Sequence, residues 1–512
     1  MSPSTADPKP LRILFVSSEC GPYARTGGLG DVVTALSKEL ARAGHDVRVV
    51  MPLYRSIDRA RFGIRFERSS CVHMGNGEEA WVSIHSTLLG ERVPVWFVEY
   101  ERFFGRGGIY DEPGGEYGDN AFRFGLLSTA ALQAALDVGF VPDVVHVHDW
   151  PTALAAYYVK TWGGTPSPLA RTATVLTIHN IGYQGVYHAS ANAYLKIAPG
   201  AFASDGFEDH GNINLLKGGV AFADALTTVS PTHARELLTP SGGRGLAPYL
   251  SARERDLFGI LNAIDEDEWD PARDRWIPAH FDAEHMEGKA LSKLMLQRFF
   301  GLEQRPDVPL FGIVTRLAQQ KGIDLLMQAI PRALDTMVLH FVALGNGDPN
   351  AENFFRWLEH AYPGRVGAQI TFSNELSHLM EAGLDFFVMP SLYEPCGLNQ
   401  MYSMRYGTLP IVRATGGLDD TVQNYDPASG AGTGFKFWDA TPQALYDTVG
   451  WAVSTWFDRP HHVASLRKNA MGLHFSWRDA AARYEEVYAH ALAKRRGIAR
   501  DRDPAPPRAT SS

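Results

Sequence analysis

The amino-acid sequence predicts an α/β protein built from two open, doubly wound parallel sheets. Three observations carry that expectation. Short apolar, β-rich runs alternate with amphipathic stretches of helical spacing. The alternation comes as two separate series, one from residue 11 and one from near residue 309. The chain of 512 residues also exceeds what a single hydrophobic core ordinarily encloses. Its 49 glycines and 31 prolines suit many short connections.

Leu11–Ser17 (LRILFVS) reads as the first strand and ends in a polar, glycine-containing loop. Asp31–Ala43 follows with apolar residues at helical spacing and is closed by Gly44, and His45–Met51 (HDVRVVM) reads as the next strand. This β-loop-α-β unit opens a doubly wound sheet. Strand-like runs recur at Val93–Val98, Val144–His148, Ala173–Ile178 and Ala225–Val229, with a helical pattern at Ala121–Leu136. The second series comprises Leu310–Val314, Leu339–Leu344, Gln369–Phe372, Phe386–Met389 and Pro410–Val412, interleaved with Gly322–Leu334 and Leu376–Ala382. Between the series, Ile264–His280 is acidic, Trp-containing and Pro-punctuated, as a hinge region would be. The tail Arg495–Ser512 is rich in Pro, Ser and Arg and reads as disordered. There is no internal repeat.

Composition narrows the function classes. Hydrophobic content of 45% with 21% charged residues is globular, not fibrous or disordered. Lys+Arg 48 against Asp+Glu 57 leaves −9, which gives a nucleic-acid partner no support. Cys20, Cys71 and Cys396 cannot form a disulfide framework in so long a chain, which fits a reducing compartment. No apolar run reaches the length of a membrane span, about 18 residues, and MSPSTADPKPLR lacks the apolar stretch of a signal peptide. A soluble cytoplasmic protein without membrane partners is the expectation.

Parallel sheets of this kind bind ligands at the carboxyl ends of their strands, so the strand-end loops carry the functional reading. After the first strand comes Arg25-Thr26-Gly27-Gly28-Leu29-Gly30-Asp31. Its spacing is not the dinucleotide fingerprint; alone it fits a phosphate-cradling loop and a tight β–α turn equally, and Arg25 favours the first. In Val144-Val145-His146-Val147-His148-Asp149-Trp150, strand alternation puts His146 and His148 on one face. A His-x-His pair can bind metal, but no matching downstream ligand set follows. Core packing of these histidines is the favoured reading, with Asp149 and Trp150 at the functional end. Thr177-Ile178-His179-Asn180 ends another strand at the same rim.

In the second series, Arg316 and Lys321 sit in a loop between an apolar strand and a helix start, an arrangement suited to a diphosphate. By charge alone they read as solvated surface cations. Pro390–Leu398 (PSLYEPCGL) follows a buried strand and fixes the Glu394 carboxylate on a loop, where it can accept hydrogen bonds from hydroxyls. Cys396 has no His partner in sequence, so it reads as a packed thiol. Asp265-Glu266-Asp267 matches a D-x-D metal signature, but Glu268 beside it makes a solvated acidic run the better reading.

Together these loops resemble the bacterial glycogen synthase and plant starch synthase family. The matching strings are RTGGLGDV (25–32), HVHDW (146–150), TIHNIGYQG (177–185), LTTVSPTHA (226–234), LNAID (261–265), TRLAQQKG (315–322), PSLYEPCGLNQMYSMRYGTLPIVR (390–413) and TGGLDDTV (415–422). They span nearly the whole chain, in the family's order. The resemblance implies a GT-B fold: two Rossmann-like domains facing a cleft, 1–262 with a returning helix 477–495, and 263–476 binding the nucleotide sugar, with 496–512 as a disordered tail. It implies retaining, metal-independent transfer of glucose from ADP-glucose to the nonreducing end of an α-1,4-glucan. The partners are then a nucleotide-sugar donor and a glucan acceptor such as glycogen, with no cofactor.

Carried over by position, Arg316 and Lys321 neutralise the departing diphosphate. Glu394 hydrogen-bonds the donor glucose, with backbone amides near Gly397 and Leu398. His179 and Asn262 line the same sugar, and Asp149 sits at the acceptor side. Arg25, Gly27, Gly28, Cys396, Asn399 and Tyr402 complete the donor-binding set. The sequence departs from the family at Arg25, where Lys is usual, and at Ala263, where Gly is usual. No residue distinguishes adenine from uracil, so UDP-glucose stays open as a donor, and the sequence does not specify an oligomeric state. Two other readings are a catalytically weak glucan- or nucleotide-binding protein and a phosphorolytic enzyme. Retention of Arg316, Lys321, Glu394 and His179 argues against the first, and the absence of a pyridoxal-phosphate lysine motif against the second.

Overall fold

The computed structural model describes residues 10–112, 115–163 and 166–497. From residue 498 on, the expected disordered tail lies outside the described residues. The chain divides into two compact units, Met1–Thr227 with Gly243–Phe258 and Ala481–Ser512, and Thr228–Gly242 with Gly259–Ala480.

The first unit is organised by a sheet of nine strands. These are β1 (Arg12–Val16), β2 (Asp46–Pro52), β3 (Arg65–His73), β4 (Glu79–Leu89), β5 (Val93–Glu99), β8 (Val144–His148), β9 (Ala173–Ile178), β13 (Ala225–Thr228) and β14 (Leu257–Gly259). The short strands β6 (Asp111–Glu112) and β7 (Gly115–Glu116) pair with each other, and β10 (Val186–His188), β11 (Glu208–Asp209) and β12 (Asn212–Asn214) form a small separate sheet. The order is β14-β13-β9-β8-β1-β2-β5-β4-β3. From β9 through β5 the pairing is parallel, and β4 and β3 extend it antiparallel. The chain winds outward from β1 through β2 and β5, then returns to the other side of β1 with β8. The loops after β1 and β8 therefore meet at a topological switch point. All of β8 and β9 is buried, as strands covered on both faces must be.

The second unit holds a six-stranded sheet with every pair parallel. Its strands are β15 (Leu310–Val314), β16 (His340–Leu344), β17 (Val366–Gln369), β18 (Phe386–Met389), β19 (Leu409–Arg413) and β20 (Phe435–Phe437), in the order β17-β16-β15-β18-β19-β20. This is the Rossmann order, with its switch point between β15 and β18. The run expected at 369–372 is placed at Val366–Gln369 instead. The reason is its partner: β16 ends at Leu344, paired with Gln369, so residues beyond have no strand to bond.

The acidic segment read as a hinge is packed into the second unit. Ile264, Trp269 and Ile277 are buried in a cluster with Cys396, Met401 and Tyr406. Asp265 spends a carboxylate oxygen on the N–H groups of Asp267 and Glu268, so it acts as a turn former. The final helix, Trp477–Arg495, packs Tyr484 and Tyr488 into the first unit, where the Tyr488 hydroxyl lies 2.9 Å from His146 Nδ1. Among the described residues, no helix is long and apolar enough to cross a membrane.

Candidate active site

In the second unit, the switch point brings together two loops distant in sequence. Lys321, after β15, places Nζ 2.6 Å from Glu394 Oε2, after β18. The same carboxylate oxygen accepts the Ser391 hydroxyl at 3.0 Å. Glu394 is buried and Lys321 partly exposed, so a desolvated carboxylate is held by a cation that still reaches solvent. Arg316, on the Lys321 loop, is exposed and meets no carboxylate among the described residues. A free guanidinium beside a paired ammonium can accept a diphosphate.

The loop backbones are interlocked. Leu392 N–H donates to Gln320 O at 2.8 Å, and Gly322, which begins the helix Ile323–Thr336, is pressed against Pro390 O. Arg413 Nε donates to Ser391 O at 2.7 Å, and its Nη2 donates to Leu392 O. Gly417 N–H donates to Glu394 O at 3.1 Å, while Gly416 lies so close to that oxygen that a side chain there would collide with it. Glu236 Oε1 fixes this turn by accepting Thr415 Oγ1 and Gly416 N–H, each at 2.9 Å.

The other expected residues of this unit split into two groups. Gly397 adopts φ +74° and turns the chain into the helix Asn399–Arg405, with Leu398 at its start. Asn262 is buried and its Oδ1 has no hydrogen-bond partner among the described residues, an acceptor left for something else. Cys396 is a buried thiol whose pKa burial pushes up, in keeping with packing and not nucleophilic attack. Asn399 and Tyr402 are tied to the scaffold. Asn399 Nδ2 donates to Val314 O at 2.8 Å, and the Tyr402 ring stacks on Trp269 at 3.9 Å. Ala263 is buried without a positive φ, so the position does not need glycine's conformational freedom.

In the first unit, Asp149 opens a short helix after β8 with φ +53°, a left-handed conformation uncommon for a side chain. Its Oδ1 accepts the N–H of His179 at 2.7 Å and of Asn180 at 3.3 Å, joining the ends of β8 and β9. Burial raises its pKa to about 7, with the two N–H groups opposing that shift. His179 is lowered by burial to about 3, so it is neutral, and its Nε2 lies 3.0 Å from His148 Nδ1. His146 and His148 are core residues, stacked at 4.3 Å and packed on Phe15.

The glycine-rich loop follows β1. Glu19, buried, accepts Thr26 N–H at 2.6 Å, Thr26 Oγ1 at 3.0 Å and the Tyr110 hydroxyl at 2.6 Å, and so holds the loop down. A side chain added at Gly27 or Gly28 would meet nothing within 4 Å. The packing around the loop therefore does not demand these glycines. Arg25 pairs with Asp31, so its charge is locally matched, unlike that of Arg316.

Sequence reading missed Glu19, Tyr110, Arg413 and Glu236, each of which holds a loop in place, and Ser391, which donates to the Glu394 carboxylate. It also missed Phe372, 79% exposed just past the carboxyl end of β17. A phenylalanine at the end of a strand-like run was legible in the sequence; its exposure was not. Among the described residues, the one cluster of three metal-type side chains is Cys71, His73 and Glu79, on β3 and β4, away from these loops in the sequence.

The Asp149 carboxyl yields a pH prediction. Because its folded pKa is raised, folding favours the protonated form. That stabilisation is complete below the ordinary carboxylate range and is lost as pH rises through about 7. Asp149→Asn cannot ionise but keeps an acceptor oxygen. The thermal midpoint of Asp149→Asn relative to the unsubstituted protein should therefore rise between pH 5 and pH 8. A constant difference would show that Asp149 ionises as an ordinary carboxylate.

Comparison with known proteins agrees with the fold and with the family resemblance. A family model described as the starch synthase catalytic domain matches residues 12–252, and one described as glycosyl transferases group 1 matches residues 297–470. The chain is 49% identical to glycogen synthase 1 of Geobacter sulfurreducens over 95% of this chain and 98% of that protein. It is 47% identical to a glycogen synthase of Anaeromyxobacter sp. over 93% of this chain and 99% of that one. Among solved structures, the catalytic domain of starch synthase IV from Arabidopsis thaliana, bound to ADP and acarbose, matches with a TM-score of 0.86. It is 34% identical and covers 94% of this chain and 100% of its own. Sucrose-phosphate synthase from Thermosynechococcus elongatus, at 17% identity and a TM-score of 0.58, shares the fold alone.

Proposed function

The chain belongs to the starch and glycogen synthase family of GT-B glycosyltransferases, and on that premise we propose that it is a glycogen synthase of the cytoplasm. The reaction moves glucose from ADP-glucose to the nonreducing end of an α-1,4-glucan, with retention at the anomeric carbon and without a metal ion. The observation that carries this reading is the Lys321–Glu394 pair at the β15/β18 switch point, with Arg316 open beside it.

As the bond from the anomeric carbon to the diphosphate oxygen breaks, negative charge gathers on the diphosphate. Arg316 and Lys321 stabilise that charge with fixed cations, a role that a divalent ion fills in other transferases. Glu394, oriented by Lys321 and Ser391, accepts hydrogen bonds from the donor glucose, and the amides near Gly397 and Leu398 add donors. Asn262 offers the sugar its unpartnered Oδ1. In the first unit, His179 and Asp149 hydrogen-bond the sugars, and the open Gly27-Gly28 backbone approaches the donor. Arg25, paired with Asp31, adds a cation on the same loop.

Purified protein incubated with labelled ADP-glucose, glycogen primer and EDTA should extend the glucan with α-linked glucose, and UDP-glucose should serve less well. Absence of label from both donors would leave a binding protein, and strict dependence on a divalent metal would remove the cationic mechanism. Phe372 suits stacking on the donor's base, which is worth about 1–3 kcal/mol for an aromatic platform. Phe372→Ala should therefore raise the donor KM by about tenfold or more while largely sparing kcat. An unchanged KM would place the base elsewhere.

A further inference from the structure

His179 is held at two points. Its backbone N–H donates to Asp149 Oδ1 at 2.7 Å, and its ring Nε2 lies 3.0 Å from His148 Nδ1. Its Nδ1 makes no hydrogen bond to any described residue. His148 is fully buried between the His146 ring and Phe15, and its Nε2 is buried with no hydrogen-bond partner among the described residues.

The unpartnered Nε2 decides the direction of the hydrogen bond between the two rings. A neutral imidazole carries one N–H and one lone pair. If His179 donated, His148 would have to carry its own proton on Nε2, where a buried N–H would find no acceptor. If His148 donates from Nδ1, only a bare lone pair is left on its Nε2. The second arrangement is cheaper, because an orphaned buried donor forfeits its full solvation. Both rings are neutral, since burial disfavours the imidazolium form of each.

We infer that His148 is a positioning residue that fixes the tautomer of His179: by donating from Nδ1 to His179 Nε2, it forces the His179 proton onto Nδ1, so His179 meets its ligand as a hydrogen-bond donor. The inference deepens the proposed function, because it rests on that reading for the identity of the ligand as a sugar substrate. A sugar hydroxyl can donate or accept, and a fixed Nδ1–H selects the pose in which the hydroxyl oxygen accepts. The neutral donor also adds no full cation beside a glucosyl group that gains positive charge in the transition state. His146 completes the support. Its Nε2 lies 2.6 Å from Thr177 Oγ1 and its Nδ1 2.9 Å from the Tyr488 hydroxyl, so the ring on which His148 stacks cannot turn freely.

The test reads the tautomer directly. In full-length protein labelled with ¹⁵N-histidine, the His179 signals are identified by their loss in His179→Asn. They should show a protonated Nδ1 and an unprotonated Nε2 at neutral pH. His148→Asn, whose side-chain amide can occupy the place of the Nδ1–H donor, should keep that pattern and most of kcat. His148→Leu removes the donor and should release His179 into mixed tautomers, with kcat lowered up to about 100-fold, the scale of a misplaced reacting group. An Nε2–H tautomer in the unsubstituted protein would overturn the inference, as would an unchanged tautomer and kcat in His148→Leu. Should His148→Leu fail to fold, the spectrum of the unsubstituted protein and of His148→Asn still decides. The spectra require no activity, so failure of the proposed reaction leaves this result standing or falling alone.

Discussion

Lys321→Ala should lower kcat at least about 100-fold, the scale of removing one contact made to charge in the transition state. Two effects combine in that loss. The cation that stabilises the leaving diphosphate is gone, and the Glu394 carboxylate is stranded in a site where only 7% of its side chain is exposed. Ser391 remains as its donor at 3.0 Å, which holds one oxygen but supplies no charge. Lys321→Arg should recover only part of the activity. A planar fork is bulkier than a point charge, and Leu392 and Gln320 close the space around the loop.

A double-mutant cycle separates the two effects. Glu394→Gln should itself lose about 100-fold or more through the donor glucose. The double variant Lys321→Ala/Glu394→Gln should be only slightly worse than either single one, because groups in one ion pair act as a unit and couple by about 0.5–3 kcal/mol. Single-turnover transfer and thermal midpoints measured together would separate chemistry from folding. Additive losses would show that the ion pair is incidental, and near-normal turnover in Lys321→Ala would move the diphosphate site elsewhere.

The ion pair also shows where sequence reading ends. Strands β8, β9, β15 and β18 were legible with their boundaries, because strands buried on both faces are continuous apolar runs that end abruptly at polar loops. Strands β3 and β4 were not read, because RFERSSCVH turns much of its length to solvent and has no such contrast. Lys321 and Glu394 were each legible as strand-end charges. Their pairing was not, since it depends on β18 returning beside β15, a fact of strand order. The same limit applies to Tyr402 and Asn399. A motif gives their position, but the Trp269 ring and the Val314 carbonyl that engage them come from remote segments. Arg25 is the opposite case, six residues from its partner Asp31, a pairing within reach of local reading. Its charge is matched in the fold.

Gly322→Ala should be strongly damaging although it alters no functional group. Gly322 has φ +68°, and a Cβ there would stand 1.9 Å from Pro390 O. The backbone conformation alone costs an alanine about 1–2 kcal/mol. The collision adds to it, because the obstacle is a main-chain oxygen that cannot rotate away. Gly301 supplies the control, with φ +67° and nothing within 4 Å of an added Cβ. Gly301→Ala should lose stability by the conformational cost alone and keep kcat. Gly322→Ala should lose more stability, and its kcat should fall about 100-fold or more, because relieving the collision pushes the loop after β18 away from the loop after β15. Leu392 is hydrogen-bonded to Gln320, and Glu394 lies two residues further on, so a shift of an ångström at Pro390 reaches the carboxylate. Misplacement on that scale costs a reacting group about 100-fold. If both alanine variants kept kcat and lost similar stability, the Gly322–Pro390 contact would be ordinary packing, and the alignment of Lys321 with Glu394 would have to be set by Arg413 and Glu236 instead.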